Sequence, residues 1–362
     1  MKELVHGDTP VPDPGRLHPG MRLLLGFFDG YKKIVADNPL APRLSRPHPV
    51  RRTGFDQYLT IESVTGEAED VVGVVLAAPD GRALPRWIPG SHLDVFLPSG
   101  KQRQYSLCGD PEDHRRYRIA VRRIADGGGG SCEVHDHLHA GDVVRIRGPR
   151  NAFRMVAAPR YLFVAGGIGI TPILPMVRTA HRRGIPWRLR YLGRTRASMP
   201  FLDELAGYTS GRVEIRTDDE SGVPDVPALF ADMARDEAAY VCGPPPVLDG
   251  ARRALTARGT GYELHTERFS PPPVVEGNAF AVELRRSGIT VAVGAEESAL
   301  AAVQRVLPGV PYSCRQGFCG SCRATVLDGT VERHGGDTAF AGADSMLLCV
   351  SRCSNDRLVL DL

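Results

Sequence analysis

Five of the eight cysteines in this 362-residue chain lie within its last fifty residues. Three of them have the spacing C-x4-C-x2-C, and a fourth follows after 26 intervening residues. The four residues are Cys314, Cys319, Cys322 and Cys349. Soft thiolate ligands suit iron, and this spacing is one that holds a [2Fe–2S] cluster. A loop that wraps such a cluster needs unusual backbone dihedrals, which Gly317 and Gly320 permit.

Other uses of these cysteines are zinc binding and disulfide formation. Structural zinc sites usually combine two C-x2-C pairs, and disulfide scaffolds are short secreted chains. The N-terminal residues lack the apolar segment of a secretory signal, so we expect a cytoplasmic protein with reduced thiols. Cys353 competes with Cys349 for the fourth ligand position, and we interpret it as a packed free thiol.

The cysteines end a segment, residues 278–362, that resembles a plant-type ferredoxin domain. It opens with the hairpin pattern FAVELRRSGITVAV. The resemblance implies an α+β (β-grasp) fold, with the cluster held by the four cysteines of the C-x4-C-x2-C…C pattern.

Residues 54–155 contain six short β-rich runs separated by turn signals, which predicts a small antiparallel β-barrel. On one run, Arg103 and Tyr105 share a face and Ser106 points the other way. A Gly-rich loop, residues 126–131, ends at Gly130 and Ser131, and its exposed N–H groups suit an anion. Alone, these patterns also fit an ordinary strand with a surface arginine and a flexible hairpin tip.

Residues 156–270 alternate apolar strands with helical patterns, which predicts a parallel sheet with helices on both faces. A glycine loop follows the first strand and opens a helix, as in loops that cradle a pyrophosphate. Pro172 replaces the third glycine of the usual motif, and no acidic residue occurs between Gly166 and Leu202. A second loop follows a later strand. The two loops comprise Gly166, Gly167, Gly169 and Thr171, and Cys242, Gly243 and Pro244.

Together these motifs resemble the ferredoxin–NADP reductase superfamily. The resemblance implies that Arg103 pairs with a flavin phosphate, that Tyr105 packs beside the flavin and that Ser106 bonds near its redox-active nitrogen. It implies FMN rather than FAD, with Gly130 and Ser131 at the phosphate and Arg122 as a neighbour. Residues implied near the nicotinamide or the reacting face of the flavin are Thr171, Cys242, Gly243, Pro244, Glu267 and Phe269. A strand-end core Phe269 and a surface Glu267 are the alternative.

The order of barrel, nicotinamide domain and ferredoxin resembles the phthalate dioxygenase reductase, or vanillate demethylase reductase, family. The resemblance implies transfer of electrons from NADH through FMN and a [2Fe–2S] cluster to a partner oxygenase of the Rieske or haem–thiolate type. Arg194 and its arginine neighbours leave NADPH possible, because they could meet a 2′-phosphate. A redox-sensing protein without a dedicated oxygenase, and a zinc-bound hydrolase, are alternative functions.

Several segments remain outside these motifs. Residues 1–53 form an extension with a helical pattern over residues 21–35, and residues 271–277 form a Pro-rich linker. The run His135, His137 and His139 is a weak candidate for a metal site. Lys plus Arg (45) nearly balance Asp plus Glu (42), which argues against nucleic-acid binding. No apolar stretch is suited to span a membrane.

Overall fold

The structure, a computed structural model, describes residues 56–125, 129–271, 274–312, 314–317, 320–334 and 344–362. The helix expected over residues 21–35 lies outside the described residues, as do residues 126–128 and Cys319. Residues Thr53–Leu362 form one compact unit.

Six antiparallel strands form the first sheet. They are Asp56–Ala68 (β1), Val71–Ala77 (β2), Ser91–Phe96 (β3), Gln102–Ser106 (β4), Arg116–Arg122 (β5) and Val143–Asn151 (β6). Their order is β4-β3-β6-β1-β2-β5. A bridge between Leu107 and Ile119 joins the two edge strands, so the sheet closes into the expected barrel. One helix, Gly130–His137 (α1), lies between β5 and β6 in the sequence.

Alternating apolar residues explain why these strands close on themselves. In β1, Leu59 and Ile61 are buried while Tyr58 is exposed. Leu93 of β3 and Ile146 of β6 belong to the same buried cluster. Successive side chains of a strand point to opposite faces, so one face fills the barrel and the other is free to carry polar groups.

Five parallel strands form the second sheet, in the order β11-β10-β7-β8-β9. They are Arg160–Gly166 (β7), Trp187–Gly193 (β8), Arg212–Thr217 (β9), Glu237–Cys242 (β10) and Glu263–Glu267 (β11). The helices between them are Ile170–Arg182 (α2), Leu202–Ala206 (α3), Asp218–Ser221 (α4) and Pro245–Ala257 (α5). Strand β7 is buried along nearly its whole length, as expected for a sheet covered on both faces. All five carboxyl ends lie at one edge of the sheet, where ligands of such sheets bind.

The third region is a mixed sheet in the order β13-β12-β18-β14-β16, with a separate pair β15-β17. The strands are Phe280–Leu284 (β12), Ile289–Val293 (β13), Arg323–Asp328 (β14), Val331–Glu332 (β15), Ser345–Leu347 (β16), Arg352–Cys353 (β17) and Arg357–Leu360 (β18). Helix Ala299–Val306 (α6) is capped by the Ser298 side chain and packs on the sheet. In the sheet, the turn between β12 and β13 contains Gly288, at φ 66°. The α+β fold expected here is confirmed.

Candidate functional site

Strand β4 carries the Arg103, Tyr105 and Ser106 group. Arg103 extends to the start of α1, because a Cβ on Gly130 would lie 2.3 Å from its Nε. Ser106 is buried, and its Cα pairs with that of His92 on β3. Lys101, Arg103 and Tyr312 line a cleft of about 640 Å³. This volume lies in the range of small-molecule sites.

Tyr105 has an unsatisfied hydroxyl. The residue is half-buried against the barrel core, and its Oη is shielded from solvent without a hydrogen-bond partner among the described residues. Burial raises the pKa of this phenol, so Tyr105 keeps its proton. A buried donor of this kind normally has a partner, and a bound flavin could supply one.

The N-terminal end of α1 lies against Arg103. Gly129 precedes the helix at φ 77°, and no side chain caps the helix. Gly130 and Ser131 therefore belong to a helix rather than to a wholly pliable loop. The Ser131 hydroxyl accepts from the Ile124 N–H at 3.0 Å, which ties this helix end to the end of β5. Arg122 is half-buried on β5, and the structure records no side-chain hydrogen bond or ion pair for it with the described residues.

The two loops of the parallel sheet contact each other. A Cβ on Gly166 would lie 2.6 Å from Cδ of Pro244, and one on Gly169 would lie 2.2 Å from the Cys242 carbonyl oxygen. Only glycine allows this approach at both positions. Gly167, at φ 53°, has open space around its Cα. The buried Thr171 donates to the Ile168 carbonyl and so braces the turn.

Cys242 and Glu267 end adjacent parallel strands, in register with each other. Cys242 is buried, and burial and the neighbouring Glu267 raise the pKa of its thiol. Glu267 Oε2 is shielded and has no hydrogen-bond partner among the described residues. Burial raises the pKa of Glu267 from its ordinary 4.5 to about 8. The pair is therefore a neutral thiol beside a carboxyl that is mostly protonated at pH 7.

Phe269 lies two residues beyond β11 and is 49% exposed. It is therefore not a core residue, and the Glu267 Oε2 atom is not at the surface. The structure thus differs from the alternative in which Phe269 is a core residue and Glu267 a surface residue.

The arginines on β8 and just after it have different surroundings. Arg188 bonds to Glu237 and Asp232, and Arg190 bonds to Asp232. Arg196 pairs with Glu220 of α4 at 2.9 Å. Arg194 is exposed, and its carbonyl accepts from the Asp219 N–H. Acidic residues after β9 in the sequence thus pair with Arg188, Arg190 and Arg196.

The described thiols of the cysteine motif come together. Cys314, Cys322 and Cys349 are buried, and the Cys349 thiol lies within hydrogen-bonding reach of the other two. The Gln316 N–H donates to Cys314 Sγ at 3.3 Å. Cys353 instead donates to the Arg357 carbonyl on β18.

The backbone around these thiols has the expected conformation. Arg315, Gly317 and Gly320 all have positive φ values, at 55°, 85° and 70°. A thiolate donor set with an N–H directed at sulfur fits an iron–sulfur cluster. Among the described residues, which leave out Cys319, no group of three or more His, Cys, Asp or Glu side chains is positioned to hold a metal ion. In the histidine run, His135 Nε2 lies 2.8 Å from the Val121 carbonyl oxygen.

The segment 312–322 carries three cysteines of the motif and is called the cluster loop below. Its described residues contact both other regions. Gln102 Nε2 donates to the Tyr312 carbonyl at 2.9 Å, and the Tyr312 hydroxyl donates back to the Gln102 carbonyl at 3.1 Å. Arg150 Nη1 lies 3.4 Å from Ser321 Oγ. Gln316 donates to the Arg268 carbonyl at the end of the parallel sheet. Strand β4, the carboxyl edge of the parallel sheet and the cluster loop therefore converge.

Comparison with known proteins gives three sets of similarities. Residues 282–354 match the 2Fe-2S iron-sulfur cluster binding domain family. The phthalate 4,5-dioxygenase oxygenase reductase subunit of Pseudomonas putida is 36% identical, over 84% of this chain and 96% of the relative. The solved structure of phthalate dioxygenase reductase, described as a modular structure for electron transfer from pyridine nucleotides to [2Fe-2S], is 34% identical with a TM-score of 0.66. It is matched over 85% of this chain and 98% of that one.

A second solved structure is that of an intact type IV self-sufficient cytochrome P450 monooxygenase. It is 37% identical with a TM-score of 0.67, and the match covers 90% of this chain and 45% of that protein. No helix among the described residues is long and apolar enough to cross a bilayer.

Proposed function

The chain belongs to the phthalate dioxygenase reductase family of oxygenase reductases, and we propose that it passes electrons from NADH through FMN and a [2Fe–2S] cluster to a partner oxygenase. One observation carries this proposal: β4, the carboxyl edge of the parallel sheet and the cluster loop meet through the contacts of Gln102, Arg150 and Gln316. Three cofactor sites so close together suit stepwise electron transfer.

A flavin accepts a hydride and releases electrons singly, so it can link a nicotinamide to a one-electron cluster. Arg103 and the uncapped start of α1 suit its phosphate. Tyr105 supplies an unpartnered hydroxyl beside it. We assign a second hydroxyl to Ser106, which is buried and leaves the opposite face of β4. We assign Arg122 a less direct role, as a neighbour of the phosphate end. These residues hold and orient the flavin.

The nicotinamide dinucleotide is assigned to the two contacting loops. Gly167, which has open space at its Cα, allows the pyrophosphate to approach the backbone, and Gly166 and Gly169 allow the two loops to pack together. Thr171, Gly243 and Pro244 shape the turn beside the nicotinamide ring. Cys242 and Glu267 form the neutral wall of the hydride-transfer site. We assign the exposed Phe269 to cover the flavin until the nicotinamide arrives.

We propose NADH as the coenzyme. Glu220 neutralises Arg196, and the backbone N–H of Asp219 on α4 donates to the Arg194 carbonyl, so acidic residues of α4 adjoin this segment. Acidic groups at this end of the site suit ribose hydroxyls and repel a 2′-phosphate. Comparison of kcat/KM for NADH and NADPH tests this assignment, and a large preference for NADPH would overturn it.

The cluster is assigned to Cys314, Cys319, Cys322 and Cys349, of which three are described and come together. The acceptor is a terminal oxygenase of the Rieske or haem–thiolate class. We place the protein in the cytoplasm, because reduced thiols and NADH are available there.

An anaerobic experiment tests the whole proposal. The purified protein is mixed with NADH, and its flavin and cluster absorbance are followed together with the EPR signal of a reduced cluster. We expect both chromophores to bleach, and added Rieske or P450 oxygenase to turn over only when this chain is present. Failure of either chromophore to bleach would contradict the reductase function. Bleaching without turnover by either oxygenase class would favour a redox sensor.

A further inference from the structure

Lysine is scarce in this chain. Only 4 of the 45 Lys and Arg residues are lysine, and three of these lie in the N-terminal extension. Lys101 is therefore the single lysine of residues 54–362. A lysine is a compact point charge, whereas arginine is a planar fork. Its amine is also chemically distinct from every guanidinium around it.

Lys101 lies directly before β4, two residues from Arg103, so both side chains leave the same face of the chain. Its Nζ is 3.2 Å from the position that a Cβ on Gly129 would occupy. Arg103 Nε is 2.3 Å from the corresponding position on Gly130. The side chains of Lys101 and Arg103 thus converge on two successive glycines, Gly129 and Gly130, at the start of α1.

Arg145 and Arg147 line the same cleft but pair with Asp56, and Glu133 is the carboxylate that pairs with Lys101. The Glu133 carboxylate accepts from the Ser99 N–H at 2.8 Å and lies 3.8 Å from Lys101 Nζ. Burial works in the opposite direction, but the Ser99 hydrogen bonds and the Lys101 charge lower the pKa of Glu133, which stays ionised. Arg103 and Glu133 alone sum to zero formal charge. Lys101 makes the group net positive.

A phosphate monoester carries a charge of about −1.5 to −2 at pH 7, so it gains little from a site without net charge. We propose that Lys101 is a ligand of the FMN phosphate and selects phosphorylated flavin over riboflavin. This inference rests on the FMN assignment above. Lys101 lies outside the two sequence motifs assigned to the flavin, Arg103–Ser106 and the Gly-rich loop.

Flavin binding to the full-length protein, stripped of flavin, tests this selectivity. We expect Lys101→Gln to weaken FMN binding by about 10- to 100-fold, because a hydrogen bond to a charged group contributes about 1.5–3 kcal/mol. Riboflavin binding stays unchanged, and Lys101→Arg restores most of the FMN affinity. Arg116→Gln is the matched control, since it removes an exposed cation that pairs with Glu62 on the barrel.

Unchanged FMN binding in Lys101→Gln, or an equal loss for FMN and riboflavin, would overturn the inference. If the wild-type protein binds FMN no better than riboflavin, the FMN assignment itself fails instead. Amine acetylation gives an independent readout, because the Lys101 side chain is 42% exposed. We expect FMN, but not riboflavin, to reduce acetylation of Lys101 relative to the other three lysines, measured by peptide mass spectrometry. Equal labelling with and without FMN would also count against it.

Discussion

The Glu267 carboxyl is an acid kept mostly neutral at physiological pH. Its Oε2 atom is shielded, and burial raises its pKa to about 8. In water the same group ionises at 4.5. Folding therefore binds a proton between these two values, and the folded state loses stability as the pH rises from 4.5 through about 8. A protonated carboxyl can donate a hydrogen bond where a carboxylate would repel electron density.

We expect this proton to be directly visible. Infrared difference spectra of the full-length protein between pH 6 and pH 9 should contain the carbonyl stretch of a buried carboxylic acid, lost with a midpoint near pH 8. Glu267→Gln removes the band, because its amide does not titrate. Glu263→Gln on the same strand is the control, since Glu263 is exposed. A wild-type spectrum without a titrating band in this range would contradict the assignment.

Cys349 and Cys353 differ in their contacts although both are buried. Cys349 reaches the thiols of Cys314 and Cys322, whereas Cys353 bonds to the Arg357 carbonyl. We expect Cys349→Ser to lose most of the bound iron and the EPR signal of the reduced cluster. Cys353→Ser should keep both. Iron analysis and EPR of the two variants decide the question, and retention of a full cluster in Cys349→Ser would reject it as a ligand.

At the scale of elements, the site proposed for the nucleotide depends on two loops that can approach each other only because glycines stand at the contact. The turn before α2 packs Gly169 against the Cys242 carbonyl, and the turn before α5 packs Pro244 against Gly166. Adjacent parallel strands β7 and β10 bring the turns to the same edge. A side chain at Gly169 must separate the loops, because no real Cβ approaches a carbonyl oxygen at 2.2 Å.

We therefore expect Gly169→Ala to lower kcat/KM for NADH about tenfold or more, since overpacking costs about 1–3 kcal/mol and 1.4 kcal/mol is a factor of ten. The assay uses ferricyanide, which takes electrons from the flavin. Gly66→Ala is the matched control, because a Cβ there would meet nothing within 4 Å. Flavin and iron content should match the wild type in both variants. Normal NADH kinetics in Gly169→Ala would show that the loop contact is dispensable.

At the scale of the whole molecule, a buried polar group joins the barrel to the cluster loop. Asp94 is fully buried on β3, accepts from Gln104 at 2.8 Å and pairs with Arg150 at 3.3 Å. Arg150 in turn reaches Ser321 between two cluster cysteines. The reciprocal Gln102–Tyr312 bonds hold a second point. The cluster loop is thus held against the barrel by residues of β3, β4 and β6.

Loss of one partner of a buried ion pair costs about 3–5 kcal/mol. We expect Arg150→Gln to loosen this contact and slow the reduction of the cluster by flavin, while reduction of the flavin by NADH keeps its rate. Anaerobic stopped-flow absorbance separates the two steps. Tyr312→Phe is a milder variant that removes one hydrogen bond and retains the ring, and Arg116→Gln is the control. Equal slowing of both steps would indicate general damage rather than loss of positioning.

The sequence predicted the three folds because each has a strong local signal: alternation in the barrel, apolar runs before glycine turns in the parallel sheet, and cysteine spacing in the last region. It also predicted the positive φ values of Gly317 and Gly320. It did not indicate the start of α1 at Gly130, because glycines and a serine there have no helical preference. Nor did it indicate Lys101, Asp94 or Arg150, whose roles depend on neighbours far away in the chain.

Residue types and spacing were thus sufficient for the family, its iron–sulfur domain and the order of its regions. Those properties come from local dihedral preferences and from the ligand chemistry of single side chains. Only the tertiary structure shows the protonation of Glu267, the net charge beside Arg103 and the contacts of the cluster loop with the barrel. Burial and distance set these properties, and both depend on residues brought together from different strands.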